Sequence, residues 1–189
     1  GFPAAYYLAR IDQDKAVFYL ILIIIPFFTA VIFRVFGLVY VLGNKGLINS
    51  FLEFVGISKI SLIWNKFSMI IGFTNVLLPY MILSLYGSIR QVDKSVEEAA
   101  YMLGSGKLKT IFLVVIPLIK GGIFTGTIFV FGITMGTFEV PAVLGGTSEM
   151  VMSILIQQNV ALMNYPLASS LSYMLLFFVI GVIAVFGRI

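Results

Sequence analysis

Four unbroken apolar stretches, at residues 17–42, 67–85, 112–137 and 167–186, limit what this chain can become. Each approaches or exceeds the roughly 20 apolar residues that a helix needs to cross a bilayer. In lipid, every backbone N–H and C=O must be satisfied within its own segment or in a closed barrel. Barrel strands are short and alternate apolar with polar residues. These runs do neither, so membrane-crossing helices are predicted. The composition agrees: 60% of residues are hydrophobic and 11% charged, too few charges to cover a water-facing surface of this size. A fifth apolar stretch, residues 1–9, is too short to span alone. It lacks the basic flank and cleavage pattern of a signal peptide, and it reads as the end of a helix whose start is missing. With no internal repeat, residues 1–189 read as one domain, expected to be a fragment lacking the first span and the extreme C-terminus.

There is no cysteine and no histidine. Thiolate and imidazole metal sites, histidine bases and histidine proton relays are therefore excluded, and no metal or cofactor is expected. The net charge of +4 calls for no nucleic acid, because membrane proteins collect Lys and Arg in cytoplasmic loops. Alternating the spans places Arg10, Lys15, Arg90, Lys94, Lys107, Lys109, Lys120 and Arg188 on one side. Lys45, Lys59 and Lys66 fall on the other. The richer side is the cytoplasm, so residues 90–109 form a cytoplasmic loop. Residues 43–66 and 140–166 face outward.

Polar and special residues inside the spans have two readings each. Pro26 and Pro79 remove backbone donors and predict kinks, tolerated or lining a pathway. Gly122 and Gly126, then Gly132 and Gly136, carry the four-residue spacing that lets helices approach closely. Arg34 lies toward the outer end of its span, where it can snorkel to the interface or pair with Glu139 or a solute. Thr74, Asn75, Ser169, Ser170 and Ser172 suit hydrogen bonds between helices or a polar path. Arg34, Asn75 and Glu139 are the candidates for a solute pathway.

The informative segment is residues 93–117, DKSVEEAAYMLGSGKLKTIFLVVIP. Asp93 or Ser95 can cap a helix, and Ser95 with Glu98 fits a capping box. Glu97 and Glu98 in the first turn suit the helix dipole. Ala99, Ala100 and Leu103 form a small apolar face, and Gly104 is placed to end the helix. Ser105 can cap a second helix that runs into the membrane. A short helix, a glycine turn and another helix make a shape that docks in another protein's groove.

The spacing Glu98-Ala99-Ala100, three residues, Gly104, nine residues, then Val114, Ile116 and Pro117 resembles the signature loop of ABC-type importer permeases, E-A-A-x3-G-x9-I-x-L-P. Val114 and Ile116 stand where that pattern has Ile and Leu. Other segments resemble the spermidine/putrescine permeases: GFPAAYYLAR, PFFTAVIFRVFGLVYVLGNKGLIN, LLPYMILSLYGSIRQVDKSVEEAA and GTFEVPAVLGG. The resemblance implies an all-α integral membrane protein with the multi-span type I importer permease fold and a cytoplasmic coupling-helix loop. It implies a bacterial inner-membrane location. It also implies four kinds of partner: a cytoplasmic ABC ATPase dimer, a second permease subunit (identical or homologous), an extracytoplasmic solute-binding protein, and membrane lipid. A polyamine is the implied solute, with ferric iron, phosphonate or thiamine as alternatives.

The chain itself is not expected to be an enzyme. The nearest approach to a nucleotide-binding loop, Gly106-Lys107, has Tyr101 where the first glycine belongs and Leu108 where Ser or Thr belongs. Glu97 and Glu98 are adjacent and so point to different sides of a helix, with no nucleophile or metal cluster beside them. A secondary transporter is the rival class. It would show intramembrane acid chains or paired broken helices, and neither is seen.

Overall fold

The computed structural model describes residues 1–146 and 150–187. Arg188 and Glu149 lie outside the described residues. All regular elements among them are helical. In chain order they are α1 (Phe2–Arg10), α2 (Gln13–Ile24), α3 (Val31–Leu42), α4 (Leu47–Phe54), α5 (Lys66–Arg90) and α6 (Lys94–Met102). There follow α7 (Lys107–Thr110), α8 (Ile116–Leu118), α9 (Lys120–Gly136), α10 (Glu139–Leu144), α11 (Met152–Ala161) and α12 (Tyr165–Phe186).

Three helical segments are long and apolar enough to cross a membrane: Val31–Phe54, Lys66–Arg90 and Tyr165–Phe186. The pair Lys107–Leu118 and Lys120–Gly136 makes a fourth if counted as one span, bent by 71°. The expected spans 67–85 and 167–186 are thus recovered nearly as read. The expected span 17–42 is not one helix. Its apolar run is interrupted at Pro26, where Ile25–Phe28 tightens to a 3₁₀ turn, and Ala30 is extended before α3 begins. Pro26 has no N–H to continue the α-helical ladder, so a break there follows from its chemistry. Pro79, by contrast, is carried inside the continuous helix α5. The bend of the fourth span has two causes. Residues Ile111–Val115 widen to a π-helical turn, and Pro117 follows, after which Ile119 leaves helical geometry at ψ 12°.

The segments expected as outward loops carry structure of their own, and the first of them contributes α4 to the candidate span Val31–Phe54. Residues 43–66 contain α4, tied down by Asn49, whose side chain donates to the carbonyls of Gly43 (3.1 Å) and Ile60 (3.0 Å) and accepts from the Ile60 N–H (2.9 Å). Residues 140–166 contain most of α10 and all of α11.

The chain divides into two compact units. The first comprises Gly1–Phe28 and Leu77–Phe131. Its core joins Ala5, Leu8 and Ala9 of α1 to Ile82, Leu85 and Ile89 of α5 and to Ile119. Gly122 and Gly126 of α9 fit closely here. A Cβ on Gly122 would lie 1.8 Å from Ser88 Oγ, and one on Gly126 2.8 Å from Ser84 Oγ. Ser84 in turn donates to the Gly122 carbonyl at 3.3 Å. The close-packing reading of that glycine pair therefore holds.

The second unit comprises Thr29–Val76 and Gly132–Ile189. Helix α3 packs on α10, and Val35, Val140 and Leu144 are buried. Gly72 of α5 lies so close to α10 that a Cβ would meet Leu144 at 2.5 Å. Ser68 donates to the Leu144 carbonyl at 2.8 Å. Helix α12 packs against α11 and leaves a broad apolar face exposed, including Phe177 and Phe178. Gly132 and Gly136 have open space around them. In place of a helix contact they line a cleft of about 560 Å³ with Met135, Ser153, Gln157 and Ser172.

Candidate functional site

The segment with the signature spacing lies in the first unit. Asp93 caps α6: its carboxylate accepts the Ser95 backbone N–H at 2.8 Å, and that bond holds its carboxyl below the usual aspartate range. Because Asp93 is the cap, the third helical position is Val96, so the Ser95–Glu98 capping box is not formed. Helix α6 ends in a closed turn. Gly104 N–H donates to Tyr101 O (2.9 Å) and Ser105 N–H to Ala100 O (3.0 Å), the two bonds of a Schellman motif. Gly104 sits at φ +80°, left-handed backbone that glycine adopts without a Cβ clash. Gly106, not Ser105, precedes α7 as its cap. Ser105 Oγ instead accepts a hydrogen bond from Thr110 at 3.1 Å.

The turn presents an apolar tip to solvent. Met102 is 90% exposed, Leu103 89% and Leu108 72%. Glu98 and Ala99 are exposed beside it, and Ala100 is half-buried. Val114 and Ile116 are half-buried in the π turn and α8, and Pro117 is exposed at the bend. Thus Glu98, Ala99, Ala100 and Gly104 shape one surface. Val114, Ile116 and Pro117 instead set the geometry by which the chain returns from α7 toward α9.

Glu97, one residue from Glu98, points inward. Arg10 at the end of α1 donates through Nε to Glu97 Oε1 at 2.8 Å, and Arg10 Nη2 forms an ion pair with the same oxygen. Tyr6 Oη donates to Glu97 Oε2 at 2.6 Å. Arg10 Nη1 donates to the Val92 carbonyl at 3.1 Å, and Lys94 Nζ to the Arg10 carbonyl at 3.3 Å. The Glu97 side chain is 7% exposed and that of Arg10 15%. The charge count placed Arg10 and Lys94 on one side of the membrane, and these bonds join them. It did not reveal the pairing. The available signal was a carboxylate turned away from the exposed face of α6 and a cation at the end of the preceding apolar stub.

The second unit holds the pathway candidates. Arg34 of α3 and Glu139 of α10 lie on packed helices, but they are not within ion-pairing distance. Of the readings open for Arg34, the pair with Glu139 is the one not formed. Arg34 Nε and Nη1 are sealed from solvent with no hydrogen-bond partner among the described residues, and Glu139 is half-buried. Asn75 is exposed on α5. Pro79 stands four residues later and has no N–H to give the Asn75 carbonyl, so residue 75 offers a backbone acceptor and a side-chain amide at one place. Ser170 and Ser172 donate to the carbonyls of Pro166 and Ala168 within their own helix. Among the described residues no cluster of metal-ligating side chains occurs.

Comparisons with known proteins fit this arrangement. The family described as "Binding-protein-dependent transport system inner membrane component" matches residues 1–188. The chain is 34% identical over 175 residues to the spermidine/putrescine transport system permease protein PotB of Escherichia coli (strain K12), covering 91% of this chain and 64% of that protein. It is 27% identical over 184 residues to the inner membrane ABC transporter permease protein YdcU of the same organism, covering 90% and 59%. It is also 27% identical over 184 residues to the putative ferric transport system permease protein FbpB 1 of Haemophilus influenzae, covering 96% and 29%. The chain spans less than two thirds of the length of these curated relatives.

Proposed function

Because the chain belongs to the family of binding-protein-dependent transport system inner membrane components, we propose that it is the permease of an ATP-driven polyamine importer, with residues 98–103 docking a cytoplasmic ATPase. The observation that carries this reading is the tip at Met102 and Leu103. Both side chains stand clear of the chain, on a turn locked by two backbone hydrogen bonds. A fixed apolar knob fits an apolar socket on a partner with little ordering cost. ATP-driven closure of two ATPase subunits would then move this turn and switch the spans between two states. The partners are an ATPase dimer, a second permease subunit and an extracytoplasmic solute-binding protein.

The solute is assigned from the chemistry of the spans and from the spermidine/putrescine relative. Asn75 supplies neutral oxygen acceptors, and Glu139 a carboxylate with no ion-pair partner within the chain among the described residues. An ammonium group would find a charge at Glu139 and lone pairs at Asn75. Arg34 repels a cation, so its part is to orient Glu139 or to meet a carbonyl or carboxylate of a partner.

The test is uptake of radiolabelled spermidine into proteoliposomes holding the complete importer, with ATP supplied on the ATPase side. Uptake that requires ATP, and that unlabelled putrescine competes, supports the reading. Uptake that follows an ion gradient without ATP would overturn the coupling assignment. Transport of ferric iron and not of spermidine would replace the solute while leaving the coupling role in place.

A further inference from the structure

We propose that Arg10, Glu97 and Tyr6 form the linkage that carries motion of the docking helix α6 into helix α1, which makes them positioning residues for coupling. The proposal rests on the reading of residues 98–103 as the ATPase-docking segment. It begins from the two faces of α6. Successive helical residues are about 100° apart, so Glu98 can face a partner while Glu97 faces the core. Glu98 is exposed, and Glu97 is buried.

The bonds on the inward face are few, polar and directed. Both Glu97 oxygens are engaged: Oε1 by Arg10 Nε (2.8 Å) and Nη2, and Oε2 by Tyr6 (2.6 Å). Each Arg10 side-chain nitrogen has an acceptor, since Nη1 reaches the Val92 carbonyl. The guanidinium also lies over the Tyr6 ring, 5.8 Å from its centroid. Lys94 Nζ holds the Arg10 carbonyl at 3.3 Å. The end of α1 is thereby bound both to Val92, just before α6, and to Lys94 and Glu97 in its first turn.

Such a linkage differs from apolar contact in what it transmits. Apolar surfaces resist being pushed together but slide and separate with little directional preference. A charged, multiply hydrogen-bonded pair has fixed geometry and resists pulling as well as pushing. An importer cycle needs both strokes, because the ATPase subunits close and reopen. Helix α1 then engages α5 through Ala5, Leu8 and Ala9 against Ile82, Leu85 and Ile89. The route from the docking tip is therefore α6, the Arg10–Glu97–Tyr6 cluster, α1 and the long helix α5.

The experiment uses the complete importer in proteoliposomes, with ATP-driven spermidine uptake and ATPase pull-down measured on the same preparations. Glu97→Gln is expected to keep the ATPase bound and to lower uptake at least about fivefold, the lower end of common inter-site couplings. The exchange Arg10→Glu with Glu97→Arg restores an opposite-charge pair and is expected to recover at least half of the uptake. Tyr6→Phe removes one of the bonds to Glu97 and is expected to lower uptake about twofold with the complex intact. If Glu97→Gln prevents assembly, the Tyr6→Phe result decides. Wild-type uptake by assembled Glu97→Gln or Tyr6→Phe complexes overturns the linkage alone. So does a charge exchange that assembles yet transports no better than Glu97→Gln. A wild-type chain that binds no ATPase overturns the docking reading, and the linkage with it.

Discussion

The chain contains two arginine–glutamate sets, and they are treated in opposite ways. Arg10 and Glu97 form an ion pair, with both carboxylate oxygens occupied. Arg34 and Glu139 lie on helices that pack together, yet they form no pair, and two of the Arg34 nitrogens are sealed without a partner among the described residues. A buried charge without compensation is strongly unfavourable, and within a membrane span it marks function by default. The first set is completed inside the chain, and its chemistry is that of a strut. The second is left open, which suits a site completed by something that arrives, such as a solute group or another subunit. Residue type alone does not separate the two roles; the state of the partner does.

The strongest way to break this comparison is to open the closed pair. Arg10→Met leaves the Glu97 carboxylate buried with only the Tyr6 hydroxyl, a change that typically costs about 3–5 kcal/mol. Both side chains are largely buried, so solvent screening relieves little of it. The expected outcome is a lower unfolding midpoint of the detergent-solubilised complex. Arg10→Met with Glu97→Leu should recover most of the loss, because no charge is then stranded. If the double variant is no more stable than the single one, the pair is not the sealed unit described.

The glycines of α9 extend the comparison from charge to packing. Gly122→Val would drive a branched side chain into Ser88, whose Oγ lies 1.8 Å from the nearest possible Cβ. Overpacking of that kind costs about 1–3 kcal/mol. Gly132 has open space, so Gly132→Ala should leave stability unchanged or raise it by up to about 1 kcal/mol. Thermal unfolding of the two variants side by side checks this. Equal effects would mean that the two glycine pairs do the same work. Smaller again is the strain at the Gly104 turn. Gly104→Val places a β-branched residue at φ +80°, at a cost of about 1–2 kcal/mol. Membrane insertion should persist while ATPase pull-down and uptake fall. Normal pull-down with normal transport would remove Gly104 from the coupling surface.

Much of this was legible in the sequence, for identifiable reasons. Long apolar runs and the E-A-A spacing are local patterns, and local patterns survive into structure: α5, α12, the Gly104 turn and the Gly122–Gly126 contact all stand where they were read. The helix broken at Pro26 was read only as a kink, because composition does not say whether a proline will be absorbed, as Pro79 is. The capping box failed because Asp93 and Ser95 competed for one cap, and Asp93 lies two residues earlier. Least legible were the long-range pairs. Glu97 and Arg10 are brought together by tertiary packing, which no periodicity encodes. The same ignorance produced the opposite error at Arg34 and Glu139, where opposite charges near the same end of two spans suggested a bond that the fold does not make.

The finest test sharpens the open set itself. If Glu139 meets a cationic solute, Glu139→Gln removes the charge and keeps the shape. Because the carboxylate is half-buried, part of the interaction is screened by solvent. The expected loss of spermidine uptake is therefore modest, roughly threefold to tenfold, or about 0.7–1.4 kcal/mol. Assembly should be intact, since no ion pair within the chain is broken. Arg34→Met separates the remaining roles. With no partner among the described residues, Arg34 contributes no bond that the chain would lose, and its removal should not lower the unfolding midpoint as Arg10→Met does. If Arg34 only orients Glu139, Arg34→Met lowers uptake in parallel with Glu139→Gln, and the double variant adds little. If it instead meets an acceptor on the second permease subunit, Arg34→Met weakens assembly and Glu139→Gln does not. Unchanged uptake in both single variants would show that the open set takes no part in the solute path, and that an unpaired arginine at this depth is tolerated by snorkelling alone.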